Sequence, residues 1–163
     1  MEGIDKAVMI RKGEQENVGA MNCGKPSTAP CREACPAGID VPRYIRHIRD
    51  GHFEKALAVI RERIPFPFVC GYACVHPCEA KCARIQFDEA IAIRMLKRVA
   101  AEKGGRKPAK IAKRPPTGKR IAVIGSGPCG LTAAHYLNVL GHRVTVYEAL
   151  QLPGGMLRYG IPE

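Results

Sequence analysis

No stretch of this 163-residue chain approaches the ~20 consecutive apolar residues that a membrane-crossing helix requires, so no membrane partner is expected. Residues 1–20 interleave Glu2, Asp5, Lys6, Arg11, Lys12, Glu14 and Glu16 and hold no apolar block, which argues against a secretory leader and predicts a cytoplasmic protein. Also missing are the Cys2His2 spacing of zinc fingers and the aromatic motif of RNA-binding sheets. Acidic residues are scarce: 15 Asp and Glu stand against 26 Lys and Arg, a net charge of +11, and such a balance raises nucleic acid as a partner. The densest basic stretch, residues 103–120, is however interrupted by Gly104, Gly105, Pro108, Pro115, Pro116 and Gly118, the composition of a solvated linker. With its basic residues dispersed in this way, the chain is not expected to bind nucleic acid. The remaining composition, 46% hydrophobic and 25% charged, is that of a globular chain with room for one medium domain or two small ones.

Cysteine is abundant. Eight in a chain expected to occupy a reducing compartment point to metal ligands or redox chemistry rather than disulfides. Six form two groups, Cys31-x3-Cys35 and Cys70-x3-Cys74-x3-Cys78-x3-Cys82, and Cys23 precedes them. Between the groups run two amphipathic helices, residues 42–51 and 52–63, a hairpin able to bring the groups together. Asp40 is the expected N-cap of the first and Gly51 its C-terminal stop. Gly71 and the Cys74-Val-His-Pro-Cys78 stretch predict an irregular loop over residues 69–83, which wraps a cubane iron–sulfur cluster more readily than a straight helix does. Zinc is the alternative, although zinc sites favour Cys-x2-Cys pairs and need only four ligands. His76 reads as a solvated loop residue. A third helix is expected over residues 88–102, with Ala92, Met95, Leu96 and Val99 as its apolar stripe.

Beyond the linker the periodicity changes. Arg120-Ile-Ala-Val-Ile-Gly125 reads as a buried parallel strand, residues 128–140 as a helix with Leu131, Ala134 and Leu137 inward, and Arg143-Val-Thr-Val-Tyr-Glu148 as a second strand. Gly125-x-Gly127-x-x-Gly130 lies at the strand-to-helix turn, with Glu148 18 residues after Gly130. That context is what a dinucleotide needs: a tight turn, close backbone approach to pyrophosphate, helix–strand packing, and a carboxylate for the ribose hydroxyls. Cys129, within the fingerprint, reads as a small buried residue. The expected fold is α plus α/β: an irregular arm (residues 1–30), a helical iron–sulfur domain (31–103), a basic linker (104–119) and the βαβ start of a Rossmann-like domain (120–163).

These motifs, Cys31-Arg-Glu-Ala-Cys35-Pro36, Cys70-Gly-Tyr-Ala-Cys74-Val-His-Pro-Cys78-Glu-Ala-Lys-Cys82, Val123-Ile-Gly-Ser-Gly-Pro128-Cys-Gly-Leu131 and Gly154-Gly-Met-Leu-Arg-Tyr-Gly-Ile-Pro162, resemble the glutamate synthase small subunit family. That family includes the N-terminal part of dihydropyrimidine dehydrogenase and the larger subunit of NADH-dependent ferredoxin:NADP oxidoreductases. The resemblance implies a helical ferredoxin-like domain with two [4Fe-4S] clusters, and FAD at Gly125, Gly127, Pro128, Gly130 and Glu148 with Gly154, Gly155 and Leu157 toward the isoalloxazine. It also implies Cys74 and Cys78 sharing one cluster with Cys35, and Cys82 joining Cys31 at the other.

The chain departs from the family pattern in having only Cys23 before Cys31, and Lys97 where relatives often carry a Gln or Glu ligand. A protonated lysine has no lone pair for iron, so Cys70 or Cys23 would complete the ligand sets, with a single cluster as the alternative. Relatives also continue through the FAD sheet into an NAD(P)H-binding domain, so this chain is expected to be a fragment or split subunit, inactive alone and completed by the rest of its polypeptide or a redox partner subunit. The expected function is the N-terminal, electron-transfer part of an FAD- and [4Fe-4S]-dependent NAD(P)H oxidoreductase, with no side chain here as acid or base. Alternatives are a non-catalytic relay or docking subunit and a zinc-stapled interaction domain.

Overall fold

The computed structural model describes residues 28–105 and 112–161; Cys23, most of the expected arm and part of the linker lie outside the described residues. The first region is helical: α1 (Pro30–Glu33), α2 (Val41–Arg49), α3 (Phe53–Arg61), α4 (Pro67–Ala73), α5 (Pro77–Ala80), a 3-10 turn (Ala83–Gln86) and α6 (Ile93–Lys103). Asp40 caps α2 by accepting the Arg43 N–H at 3.1 Å, and Gly51 stands past its end at φ 75°. Antiparallel α2 and α3 pack against α6, and their apolar faces close over Tyr44, Ala56, Leu57 and Ile60, none more than 1% exposed. The Tyr44 hydroxyl donates to the Ile93 carbonyl at 3.1 Å, so the buried phenol is satisfied and ties α2 to the start of α6.

Three local expectations are corrected. Residues 69–83 are not one irregular loop: Pro67 occupies the first turn of α4, which carries Cys70 and Gly71, and a second one-turn helix carries Cys78. Proline suits that position because its missing N–H would be unpaired there anyway. Helix α6 begins at Ile93, five residues later than expected, because Asp88 is held by the Arg84 guanidinium at 2.7 and 2.6 Å while the Glu79 carboxylate accepts the first-turn Arg94 N–H at 2.8 Å. Its buried face is accordingly Ile93, Lys97, Ala100 and Ala101, and Met95 is exposed.

The second region is β1 (Arg120–Ile124), α7 (Pro128–Val139), β2 (Arg143–Tyr147) and a short α8 (Met156–Tyr159). The strands are parallel, with Ile121 beside Val144 and Val123 beside Val146 on the face that α7 covers. Ala122, Ile124, Thr145 and Tyr147 on the other face are exposed. This is the expected α plus α/β arrangement, with the dinucleotide fingerprint at the carboxyl end of β1, where ligands bind in open parallel sheets.

Candidate functional site

Six cysteines gather around the helical core, and all are free thiols. Cys31 lies in α1 and Cys35 just after it; Cys70 lies in α4, Cys74 caps its end, Cys78 lies in α5 and Cys82 precedes the 3-10 turn. Contact between α1 and α5 brings the two sequence groups together; Cys78 belongs to the hydrophobic core, and Cys31 and Cys35 pack against it half-buried. The thiols fall into two overlapping sets by electrostatic influence. Cys78 feels Cys35 and Cys74, and Cys70 feels Cys74 and Cys35; Cys31 feels Cys82 most strongly among the cysteines.

Burial raises the thiol pKa values. Desolvation first, then Cys82, pushes Cys31 up to about 11, and desolvation is also the largest cause at Cys70 and Cys78. Tyr44 is raised by burial and then by Cys78, Cys31 and Cys35, so it stays a neutral donor among them. Iron must therefore displace protons from these sulfurs to bind, which couples loading to pH.

The bend between α4 and α5 is fixed by hydrogen bonds. His76 adopts a left-handed conformation (φ 45°), its N–H donates to the Cys74 sulfur at 3.3 Å, and its Nδ1 lies 3.1 Å from the Cys74 carbonyl. His76 is thus a structural part of the cysteine turn as well as a partly solvated residue. The Arg94 guanidinium reaches the same carbonyl at 3.5 Å, and Glu79 joins α5 to α6 through the Arg94 N–H. Glu79 and Arg94 carry no motif that marks this role, since their partners lie 15 and 20 positions away.

The donor set fits an iron–sulfur cluster: sulfur only, partly buried and close to neighbouring peptide N–H groups. Among the described residues no three His, Cys, Asp or Glu side chains converge closely enough for a single metal ion. Zinc requires such convergence, at about 2.3 Å from each sulfur, whereas a cubane presents separate iron corners to more widely spaced thiolates.

At the fingerprint, a Cβ on Gly130 would lie 2.0 Å from the Gly125 carbonyl oxygen, so only glycine lets α7 meet β1 so closely. Gly127 is the N-cap of α7 and Pro128 its first residue, leaving the first-turn amides available to phosphate. Ser126, 2% exposed, donates its N–H to the Glu148 carboxylate at 2.8 Å, its hydroxyl to the same oxygen, and its hydroxyl oxygen accepts the Gly154 N–H at 3.2 Å. Ser126 was not among the expected site residues, yet it joins the glycine turn, Glu148 and the Gly154-Gly155 turn. Gly155 sits against Gly127, and Leu157 follows half-buried.

The Leu150 N–H donates to Glu148 at 2.9 Å; this bond and those from Ser126 lower the carboxyl to about 2. Glu148 is thus an anion beside the fingerprint at any physiological pH. Cys129, expected to be buried, is exposed at the start of α7, because the helix turns that edge away from β1.

Comparison with known proteins bears on both regions. Residues 3–108 match the family described as dihydropyrimidine dehydrogenase domain II, 4Fe-4S cluster, and residues 123–160 match an NAD(P)-binding Rossmann-like domain. The chain is 44% identical over 158 residues to the NADP(+)-dependent formate dehydrogenase subunit beta of Moorella thermoacetica, covering 83% of this chain and 22% of that protein. It is 42% identical over 139 residues to the NADPH-Fe(3+) oxidoreductase subunit beta of Geobacter sulfurreducens, covering 83% and 21%, respectively. With the glutamate synthase [NADPH] small chain of Mycobacterium tuberculosis the identity is 36% over 152 residues, covering 91% of this chain and 30% of the relative. The chain therefore spans about a fifth to a third of the length of these relatives. With sulfur donors gathered in a helical core, a dinucleotide fingerprint after it, and these matches, the chain belongs to the dihydropyrimidine dehydrogenase domain II family of 4Fe-4S proteins, continued by the start of a Rossmann-like nucleotide domain.

Proposed function

We propose that this chain is the electron-transfer portion of an FAD- and iron–sulfur-dependent NADP(H) oxidoreductase. Cys35, Cys70, Cys74 and Cys78 hold one [4Fe-4S] cluster, and Cys31 and Cys82 contribute to a second with Cys23. The observation that carries this reading is that Cys35 and Cys74 both stand near enough to act on Cys70 and on Cys78, which gathers four sulfurs without Lys97. Clusters of this kind supply one-electron transfer at potentials set by their surroundings. The chain's own residues bind, orient and shield: the core around Tyr44 excludes water from one side, and the His76 N–H supports the Cys74 sulfur.

FAD is the dinucleotide of this reading, with Gly125, Gly127, Pro128 and Gly130 at its pyrophosphate and Glu148 at its ribose. Gly154, Gly155 and Leu157 lie along its path toward the isoalloxazine. NADP(H) is favoured over NAD(H) because the three relatives are named for NADP(+) or NADPH. Its own site, the remaining flavin sheet and the terminal acceptor belong to the rest of the protein or to a partner subunit. We place it in the cytoplasm, consistent with eight cysteines serving as metal ligands rather than disulfides.

Anaerobic purification with quantification of iron, sulfide, zinc and released flavin tests the reading. About eight irons per chain, with a visible band bleached by dithionite, is the expected result, and about four would restrict it to one cluster. Zinc without iron after anaerobic reconstitution would overturn it.

A further inference from the structure

Lys97 is the one charged side chain buried among the described residues, 6% exposed on the inner face of α6. Its position follows from a close helix crossing: a Cβ on Gly71 of α4 would lie 3.1 Å from the Arg98 Cα of α6, so the backbones beside Cys70 and Lys97 nearly touch. No carboxylate among the described residues forms an ion pair with Lys97. Cys70 lies beside that crossing, and Cys78 lies on α5, which the Glu79 carboxylate ties to α6 through the Arg94 N–H, so both sulfur-bearing helices pack on the one that carries Lys97. Once iron has displaced their protons, the thiolates on the facing elements are the anions beside this largely enclosed side chain.

We infer that the Lys97 ammonium is a positioning charge for the cluster at Cys35, Cys70, Cys74 and Cys78, held beside its thiolates to favour the reduced state. This rests on the four-cysteine cluster proposed above. Reduction adds one electron, and one negative charge, to a site that already carries thiolate charge. A fixed cation beside it favours the added charge, so the reduction potential rises; an ammonium cannot do this as a ligand, having no lone pair.

The test compares the reconstituted chain with Lys97→Met, Lys97→Gln and Lys97→Arg, each assayed for iron and sulfide and then titrated anaerobically, with bleaching and electron paramagnetic resonance as readouts. Met and Gln should retain iron but make reduction of one cluster at least tenfold less favourable, a drop of 59 mV for one electron, while Arg stays near the parent value. A second cluster at Cys31 and Cys82 should keep its potential. Full iron in the Met and Gln variants with an unchanged potential would overturn the inference and leave Lys97 a packing residue, its head in solvent, with the cluster reading intact. Loss of iron in both neutral variants would overturn it in favour of a structural role. A parent chain that takes up no iron would sink the cluster reading itself, and this one with it.

Discussion

The two halves of the chain are stabilised to very different degrees. Every buried hydrophobic side chain among the described residues lies between Ile39 and Ala101, whereas in the second half only Ser126 is buried, and it is polar. Helices of seven to eleven residues enclose a core because α2, α3, α4 and α6 contribute to one interior. Two parallel strands and one covering helix cannot do so, since a parallel sheet is stable when both faces are covered. The thiols thus sit in a preformed setting, while the nucleotide turn relies on hydrogen bonds through Ser126.

Core truncation should separate the halves most clearly. Leu57→Ala, at a site 1% exposed, should cost about 2–5 kcal/mol in a denaturant melt, whereas Val146→Ala, only half-buried, should cost about 1 kcal/mol. Equal costs would show that the second half has a core of its own. Gly130→Ala should force α7 away from β1 at about 1–3 kcal/mol and remove flavin or ADP binding by calorimetry, with iron content unchanged. Loss of iron in that variant would show the two sites to be coupled. Glu148→Gln should weaken adenosine nucleotide binding roughly tenfold, through lost charge-assisted hydrogen bonds to the ribose.

The halves should also differ in pH response, by smaller amounts. Cys31 in the iron-free chain is raised from 9.0 to about 11, so its contribution is present below pH 9 and lost as pH rises through about 11. Glu148 is lowered from 4.5 to about 2, so its contribution is present above pH 4.5 and lost as pH falls through about 2. Melting of the iron-free helical half against alkaline pH, and the Ser126 and Leu150 amide resonances followed into acid, check the two signs.

What the sequence displayed was local. The Asp40 cap, the Gly51 stop, the apolar run of β1 and the glycine turn each depend on residues within a few positions, and each lies where the pattern placed it. Features set by distant partners were hidden. Residues 69–83 looked like one loop and instead contain most of α4 and all of α5; Asp88 looked like a helix start and instead pairs with Arg84; the real start of α6 is capped by Glu79. The cysteine spacing displayed the ligands, but not that a lysine would be buried beside them, because the Gly71–Arg98 crossing that buries it is a tertiary contact.

The register of the small sheet sets Arg120 beside Arg143 at the end of the strands opposite the glycine turn, with Lys119 just before β1. Like charges facing each other across strands repel, and at an exposed edge dissolved ions weaken that repulsion. The helical half carries attractive surface pairs instead, Arg43 with Glu62, Arg84 with Asp88 and Arg98 with Glu102, which the same ions weaken. Rising ionic strength should therefore tighten the strand pair while slightly loosening the helices, so that one solution variable shifts the balance of rigidity from one end of the chain to the other.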